Sequence, residues 1–350
     1  MHKKKRRRAG GFGRGLYRAA VILSAIIVAL WCGWKLLTRA PDAAEPPPPA
    51  AAPDSSGAGG EMTSTLARKE KTWTFLLAAE DQVSGSTDTI MVCTYDTVNQ
   101  KIGLVSIPRD TLVDRPGWRY HKINAAYPNG NLASPPDGGI SELKDAVSEV
   151  LGIPIDHYIL ADTKIFVEIV DAVGGVDFDV PVHMSYDAPD QDLHIHFEPG
   201  MQHLTGQQAL EVVRCRKNSD GSGSYPHNIY DAYPDADIGR TRTQQEMVKA
   251  IAKKVLSKPQ KAGSYIEIFS QYVKTDLSLA NLLWFVEPAL GFDFSGLTTA
   301  TLPGDGSARY EGTSSCYALD VEGSLEIINA CLNPYTTPVT EDMVRMVQGQ

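Results

Sequence analysis

Hydrophobic positions divide this chain into three regimes. Residues 19–34 are nearly all apolar, broken by Lys35 and resumed at Leu36-Leu37. Residues 40–61 are rich in Pro, Ala, Gly and Ser, include Pro46-Pro47-Pro48-Pro49, and cannot bury a core. Beyond Lys71 the apolar positions take on regular periods. Runs at 72–79, 89–95 and 101–107 predict three early strands, the last two joined as a hairpin by the turn-like residues 96–100. Ile140, Leu143, Ala146, Val147 and Val150 have helical spacing, stopped by Gly152 and Pro154. A strand at 157–160, a helix at 164–173 ended by Gly174-Gly175, and a strand at 176–180 follow. Residues 205–214 predict a helix with Thr205 as N-cap. Residues 240–256 and 277–289 predict two more helices, 298–302 a late strand and 321–332 a closing helix. This alternation predicts an α/β fold, an α/β/α sandwich with a mixed central sheet, preceded by a single transmembrane helix.

Charge sharpens the division. Of 33 basic residues, eight (Lys3, Lys4, Lys5, Arg6, Arg7, Arg8, Arg14 and Arg18) precede the apolar run. A basic cluster before a bilayer-length run predicts a cytoplasmic N-terminus and an external C-terminal domain, with Lys35 snorkelling and Trp31 and Trp34 at the interface. Pro41 and the lack of a small-x-small site argue against a cleaved signal peptide. The expected organisation is a basic tail (1–18), a membrane span (19–37), a linker acting as an extended spacer (38–70), one folded domain (71–335) and a C-terminal tail (336–350). Without the eight leading cations, 25 basic residues face 42 acidic ones, which excludes nucleic-acid binding by general attraction. Any polyanion must be held by focused arginines or a bridging metal.

Those arginines are present. Ser106-Ile107-Pro108-Arg109-Asp110-Thr111 ends the third strand, and Lys122-Ile123-Asn124 follows. Arg214-Cys215-Arg216 comes later: if extended, its two guanidiniums leave on one face; if helical, they diverge. Arg240 and Gln244, four apart, share a helix face whose start has spare N–H groups. Guanidinium forks suit phosphate oxygens. Asp110 pairs with Arg109, takes a proton from a hydroxyl, or does both. Asp81 and Asp88 bracket a short connection, as turn aspartates or as metal ligands. Residues 218–237 form a long polar stretch of the kind that serves as a lid. Ile165, Phe166, Ile169, Val170, Val248, Ile251 and Val255 are amphipathic positions, either core or the wall of a groove. His194-Ile195-His196 has no evident third ligand and reads as an exposed strand. Cys32 lies in the span, Cys93 and Cys215 read as inert thiols, and Cys316 and Cys331 are expected to form a disulfide.

The ordered motifs resemble the LytR-CpsA-Psr family over about residues 72–256. They comprise Leu76-Leu77 before Asp81, Asp88-Thr89-Ile90, Ser106 to Thr111, Lys122-Ile123-Asn124, Val173-Gly174-Gly175-Val176, the segment from Gln202 to Leu210, Arg214-x-Arg216, and Asp237-x-Gly239-Arg240 with Gln244. The resemblance implies a membrane-anchored bacterial cell-wall enzyme. Such enzymes move a glycopolymer from a polyprenyl-pyrophosphate carrier to peptidoglycan through a phosphodiester link. It implies a hydrophobic groove for the lipid, Asp81 and Asp88 as Mg²⁺ ligands, and Arg109, Arg214, Arg216, Arg240 and Gln244 around the pyrophosphate. Ser86, Thr243 and the pair Gln82-Val83 stand where the family usually has arginine; Arg242 and Lys122 are candidates to restore that charge. The alternative is a non-catalytic polyprenyl-phosphate-binding scaffold or regulator of envelope assembly.

Overall fold

The computed structural model describes residues 38–45, 66–80, 87–115, 117–118, 120–135, 137–188, 193–222, 230–235 and 237–349. The expected basic tail, membrane span and most of the linker lie outside them. No helix among the described residues is long and apolar enough to cross a membrane.

Three strands open the domain, β1 (Thr72–Glu80), β2 (Thr87–Asp96) and β3 (Lys101–Ser106). Helices α1 (Ala126–Ala133) and α2 (Gly138–Leu151) lead to β4 (His157–Asp162) and α3 (Thr163–Ala172). Then come β5 (Val176–Val180), β6 (Met184–Ala188), β7 (Leu193–Phe197), β8 (Gly200–Leu204) and α4 (Gly206–Arg214). The long α5 (Asp237–Leu256) precedes α6 (Ala262–Tyr272), β9 (Val273–Thr275), α7 (Leu279–Leu290) and β10 (Leu297–Thr301). A hairpin, β11 (Gly304–Tyr310) and β12 (Thr313–Leu319), and a short α8 (Val321–Ile327) complete the chain.

Six strands form the central sheet in the order β10-β3-β2-β1-β4-β9. β1 runs antiparallel to β2 and parallel to β4, and β10 runs parallel to β3, so the sheet is mixed. Its apolar residues Leu76, Ile90, Val92 and Val105 meet Leu143, Ala146, Val147 and Val150, the stripe that the helical period marks on α2. Gly152, at φ 65°, closes α2 in the left-handed conformation. On β3, a side chain at Gly103 would collide with the carbonyl of Cys331, so only glycine lets the C-terminal segment lie on that strand.

A second apolar cluster joins the β5–β8 and β6–β7 pairs to α4, through Val176, Phe178, Met184, Ile195, Leu204 and Val212 among others. Val170 is fully buried there, which makes it core. Residues 277–287 and 38–41 belong to a separate unit. Within it, Arg39 N–H donates to the Ala280 carbonyl at 3.2 Å and Asn281 Nδ2 donates to the Arg39 carbonyl at 3.0 Å. α7 is apolar nearly all round, yet none of its residues is buried.

Three expectations are revised. Cys93, Cys215, Cys316 and Cys331 are all free thiols. Cys316 packs with Leu112 and Ala308, whereas Cys331 lies against the main core, so no bridge joins them. The expected C-terminal tail is integral: Val339 and Val344 are buried in the main core, and Arg345 N–H donates to the Glu149 carbonyl. The domain also begins before Lys71. Arg68 forks onto the buried Asp156 (Nη1–Oδ1 2.8 Å, Nη2–Oδ2 2.7 Å), which also accepts from Thr74 N–H at 2.7 Å and from Ala44 N–H at 2.6 Å.

Candidate functional site

The Arg109 turn leaves the end of β3 under close backbone control. Ile107 N–H donates to the Ile90 carbonyl, and Thr111 N–H reaches back to the Pro108 carbonyl. Asn124 N–H donates to the Arg109 carbonyl, and Tyr317 N–H to that of Asp110. Thus the Lys122-Ile123-Asn124 motif and strand β12 both clamp the turn. Across from it stands the first turn of α5. Arg240, only 9% exposed, lines a narrow cleft with Arg109, Gln244, Thr241, Thr89 and Ile90. Gln244 Nε2 donates to the Val213 carbonyl at 3.3 Å, which ties α5 to the residue before Arg214.

Asp110 sits between two cations. Lys122 Nζ lies 3.1 Å from its Oδ1 and Arg109 Nε 3.8 Å from its Oδ2. Lys122 Nζ also donates to the Ser315 carbonyl at 2.8 Å. Lys122 therefore serves Asp110 and the β11–β12 hairpin and does not enter the arginine cleft. Arg242 is also engaged elsewhere: it forks onto Asp235, 58% of its side chain is exposed, and it lies about 200° around α5 from Arg240. Thr243, where the family resemblance implies arginine, is buried and donates to the Gly239 carbonyl at 3.1 Å.

Helix α4 ends at Arg214, and Cys215 is extended (φ −61°, ψ 124°) and buried, while Arg214 and Arg216 are exposed. The extended alternative holds, with the thiol turned inward between two outward guanidiniums. Burial pushes the Cys215 thiol up to about 12, as it does that of Cys93, which leaves both protonated. Asp88 is the second residue of β2. Asp81 and Ser86 fall in the connection between β1 and β2, outside the described residues. Among the described residues no group of three His, Cys, Asp or Glu side chains is arranged to hold a metal ion.

His194 and His196 do have a carboxylate neighbour that sequence reasoning missed. Asp187, paired with His194 across β6 and β7, places Oδ1 2.7 Å from His194 Nδ1 and 3.2 Å from His196 Nε2. The His194 hydrogen bond leads in holding the Asp187 carboxyl below its ordinary range. The described ends of the 218–237 stretch also meet, with Asn218 N–H donating to the Tyr230 carbonyl, and Ala232 N–H donates to the carbonyl of Arg216 just before the stretch.

Another residue missed by motif reading is Gln245, buried beside Gln244 and bonded to Ser106 at the end of β3. On the face of α5 that carries Arg240 and Gln244, steps of four, three and four lead on to Val248, Ile251 and Val255. Val248 is 37% exposed, and Ile251 packs partly buried against the second cluster. One helix face thus runs from a cation at its start to an apolar stripe.

Comparison with known proteins gives the chain its family. The profile described as the LytR_cpsA_psr family matches residues 56–330. The polyisoprenyl-teichoic acid–peptidoglycan teichoic acid transferase TagV of Bacillus subtilis (strain 168) is 30% identical over 246 residues, 69% of this chain and 57% of its own. The chain thus spans little more than half of that relative. TagU of Bacillus mycoides (strain KBAB4), a transferase of the same printed name, is 29% identical over 268 residues, 75% of this chain and 79% of its own. The crystal structure of B. subtilis TagV superposes with a TM-score of 0.57 at 26% identity, covering 74% of this chain and 95% of that one.

Proposed function

The chain belongs to the LytR-CpsA-Psr family, and from that premise we propose that it transfers a glycopolymer from a polyprenyl-pyrophosphate carrier to peptidoglycan. The observation that carries this reading is the single face of α5. Arg240 and Gln244 meet Arg109 at one end, and Val248, Ile251 and Val255 continue from them. A diphosphate needs clustered guanidiniums, and a prenyl tail needs an apolar track in line with them. Both are on one element, in the order the donor's own structure demands. The names of the relatives, teichoic acid transferases acting on a polyisoprenyl-linked substrate and peptidoglycan, support the same donor and acceptor.

The chemistry assigned to the chain's residues is as follows. The acceptor hydroxyl oxygen forms a bond to the glycan-bearing phosphorus as the bond from that phosphorus to the bridging oxygen breaks. Polyprenyl phosphate leaves with the electron pair, and the hydroxyl proton passes to a base. Arg109 and Arg240 hold the non-bridging oxygens where charge grows, aided by Arg214 and Arg216 at the end of α4. Asp110, next to Arg109 in sequence and held by Lys122, is the residue assigned to take the proton. Asp81 and Asp88 are the carboxylates that would hold Mg²⁺, whose charge would neutralise the diphosphate. The predicted single span places this site outside the membrane, with the N-terminus in the cytoplasm.

Full-length protein in nanodiscs, given a polyprenyl-pyrophosphate glycan and soluble peptidoglycan strands, should form the conjugate. Arg109→Ala or Arg240→Ala should cut turnover by about 100-fold or more, the scale of losing one preorganised charge donor. Bound polyprenyl phosphate with no conjugate, over several donors with Mg²⁺ present, would replace the transferase with the scaffold.

A further inference from the structure

The two arginines of the cleft come from elements far apart in sequence, so something must fix their spacing. We propose that Gln245 is that positioning residue: it holds the first turns of α5 against the end of β3, and so sets Arg240 relative to Arg109. The inference rests on the pyrophosphate site proposed above and adds a residue that does not face the donor.

Gln245 is 3% exposed, a rare setting for a side chain with two donors and an acceptor. Its Nε2 donates to Ser106 Oγ at 2.8 Å and to the Ala300 carbonyl at 2.5 Å, with Thr301 Oγ1 at 3.5 Å. Ser106 is the last residue of β3, three before Arg109, and pairs with Thr301 of β10 and Met91 of β2. Gln245 itself is five residues after Arg240. One carboxamide therefore spans from the helix that carries one guanidinium to the strand end that carries the other. An apolar side chain of equal length would fill the space without fixing the rotation or height of α5. Buried polar networks of this kind specify one arrangement because the alternatives leave polar groups unsatisfied. A shift of about 1 Å in a phosphate-gripping group can cost about 100-fold in rate.

The test is a double-mutant cycle on full-length protein in nanodiscs, with Gln245→Met and Arg240→Ala, reading kcat and KM for the polyprenyl-pyrophosphate glycan. Gln245→Met should lower kcat/KM by about 10- to 100-fold in the wild-type background. It should cost less than about twofold once Arg240 is already gone, because coupled residues fail to add. Should Gln245→Met fold poorly, Ser106→Ala removes an acceptor of the same carboxamide from the strand side and should show the same dependence on Arg240. Equal losses in both backgrounds, or no loss in the wild-type background, would overturn the inference while leaving the transferase reading intact. Wild-type protein that neither binds nor turns over the donor would overturn both.

Discussion

Arg109 and Asp110 differ in what surrounds them, and the roles proposed for them follow that difference. Arg109 shares the cleft with Arg240, whereas the Asp110 carboxylate is turned toward Lys122. Asp110→Asn keeps the shape but removes the basic oxygen, so kcat should fall about 100- to 10,000-fold with the donor KM little changed. Lys122→Met should lower kcat by a smaller factor at unchanged donor affinity; a large rise in donor KM would instead make Lys122 a phosphate ligand. Initial rates over a donor series separate the two. Arg109, Arg240 and Gln244, which the fold brings to one cleft, were legible as a motif from residue type and helical spacing, whereas Arg242 turns to Asp235 instead. Lys122's task was not legible, since it depends on Ser315 in a hairpin about 190 residues away. Gln245 was hidden for a similar reason: its partners Ser106, Ala300 and Thr301 lie on two strands that only the fold makes neighbours.

At the level of elements, α5 concentrates the functional argument. Its sequence has a weakly amphipathic look because two faces carry different jobs, one set into the second cluster by Met247 and Ala250, and one from Arg240 to Val255 that meets the same cluster at Ile251. Val248→Asp tests the second. Val248 is partly exposed, so the substitution should spare folding. It should raise KM at least about tenfold for a long-prenyl donor, since a charge on an apolar contact surface is strongly disfavoured. A donor with a short prenyl chain should be affected much less. Equal effects on both donors, measured side by side, would remove Val248 from the lipid track. Strands β1 to β4 and β10 and the helices α2, α3, α4 and α5 followed from apolar runs and helical spacing, whereas β9 is only three residues long and carries no such signal. The β11–β12 hairpin did not follow, because Gly304–Tyr310 is small and polar and its chain reversal relies on Glu311 and Gly312 at φ 43° and 80°. β6 and β8 were missed because their outward residues are acidic, amide, thioether and imidazole groups, with few β-branched neighbours to mark a strand.

Across the whole molecule, domain limits proved wider than composition suggested, because backbone pairing and burial recruit residues with little hydrophobic signal of their own. Leu66 packs on the main core, Lys69 N–H donates to the Pro334 carbonyl, and Val344 is buried at the other end. The Asp156 clamp extends this further. Ala44 N–H and the Arg68 guanidinium meet on that one carboxylate, and Arg68 Nη1 also donates to the Ala44 carbonyl at 3.0 Å. The intervening residues 45–67, however long, therefore begin and end at the same point and would add nothing to the reach from the span predicted at residues 19–37. For a membrane span at residues 19–37, as the sequence predicts, the reach to that clamp is limited by residues 38–43, which cover at most about 20 Å. So short a reach would suit the proposed transferase, whose donor phosphates would stay at the height of the lipid headgroups. Ten Gly/Ser residues inserted near residue 56 should leave transfer in proteoliposomes unchanged. The same insertion between Pro41 and Asp42 should slow it there while sparing turnover in detergent, where no surface has to be reached.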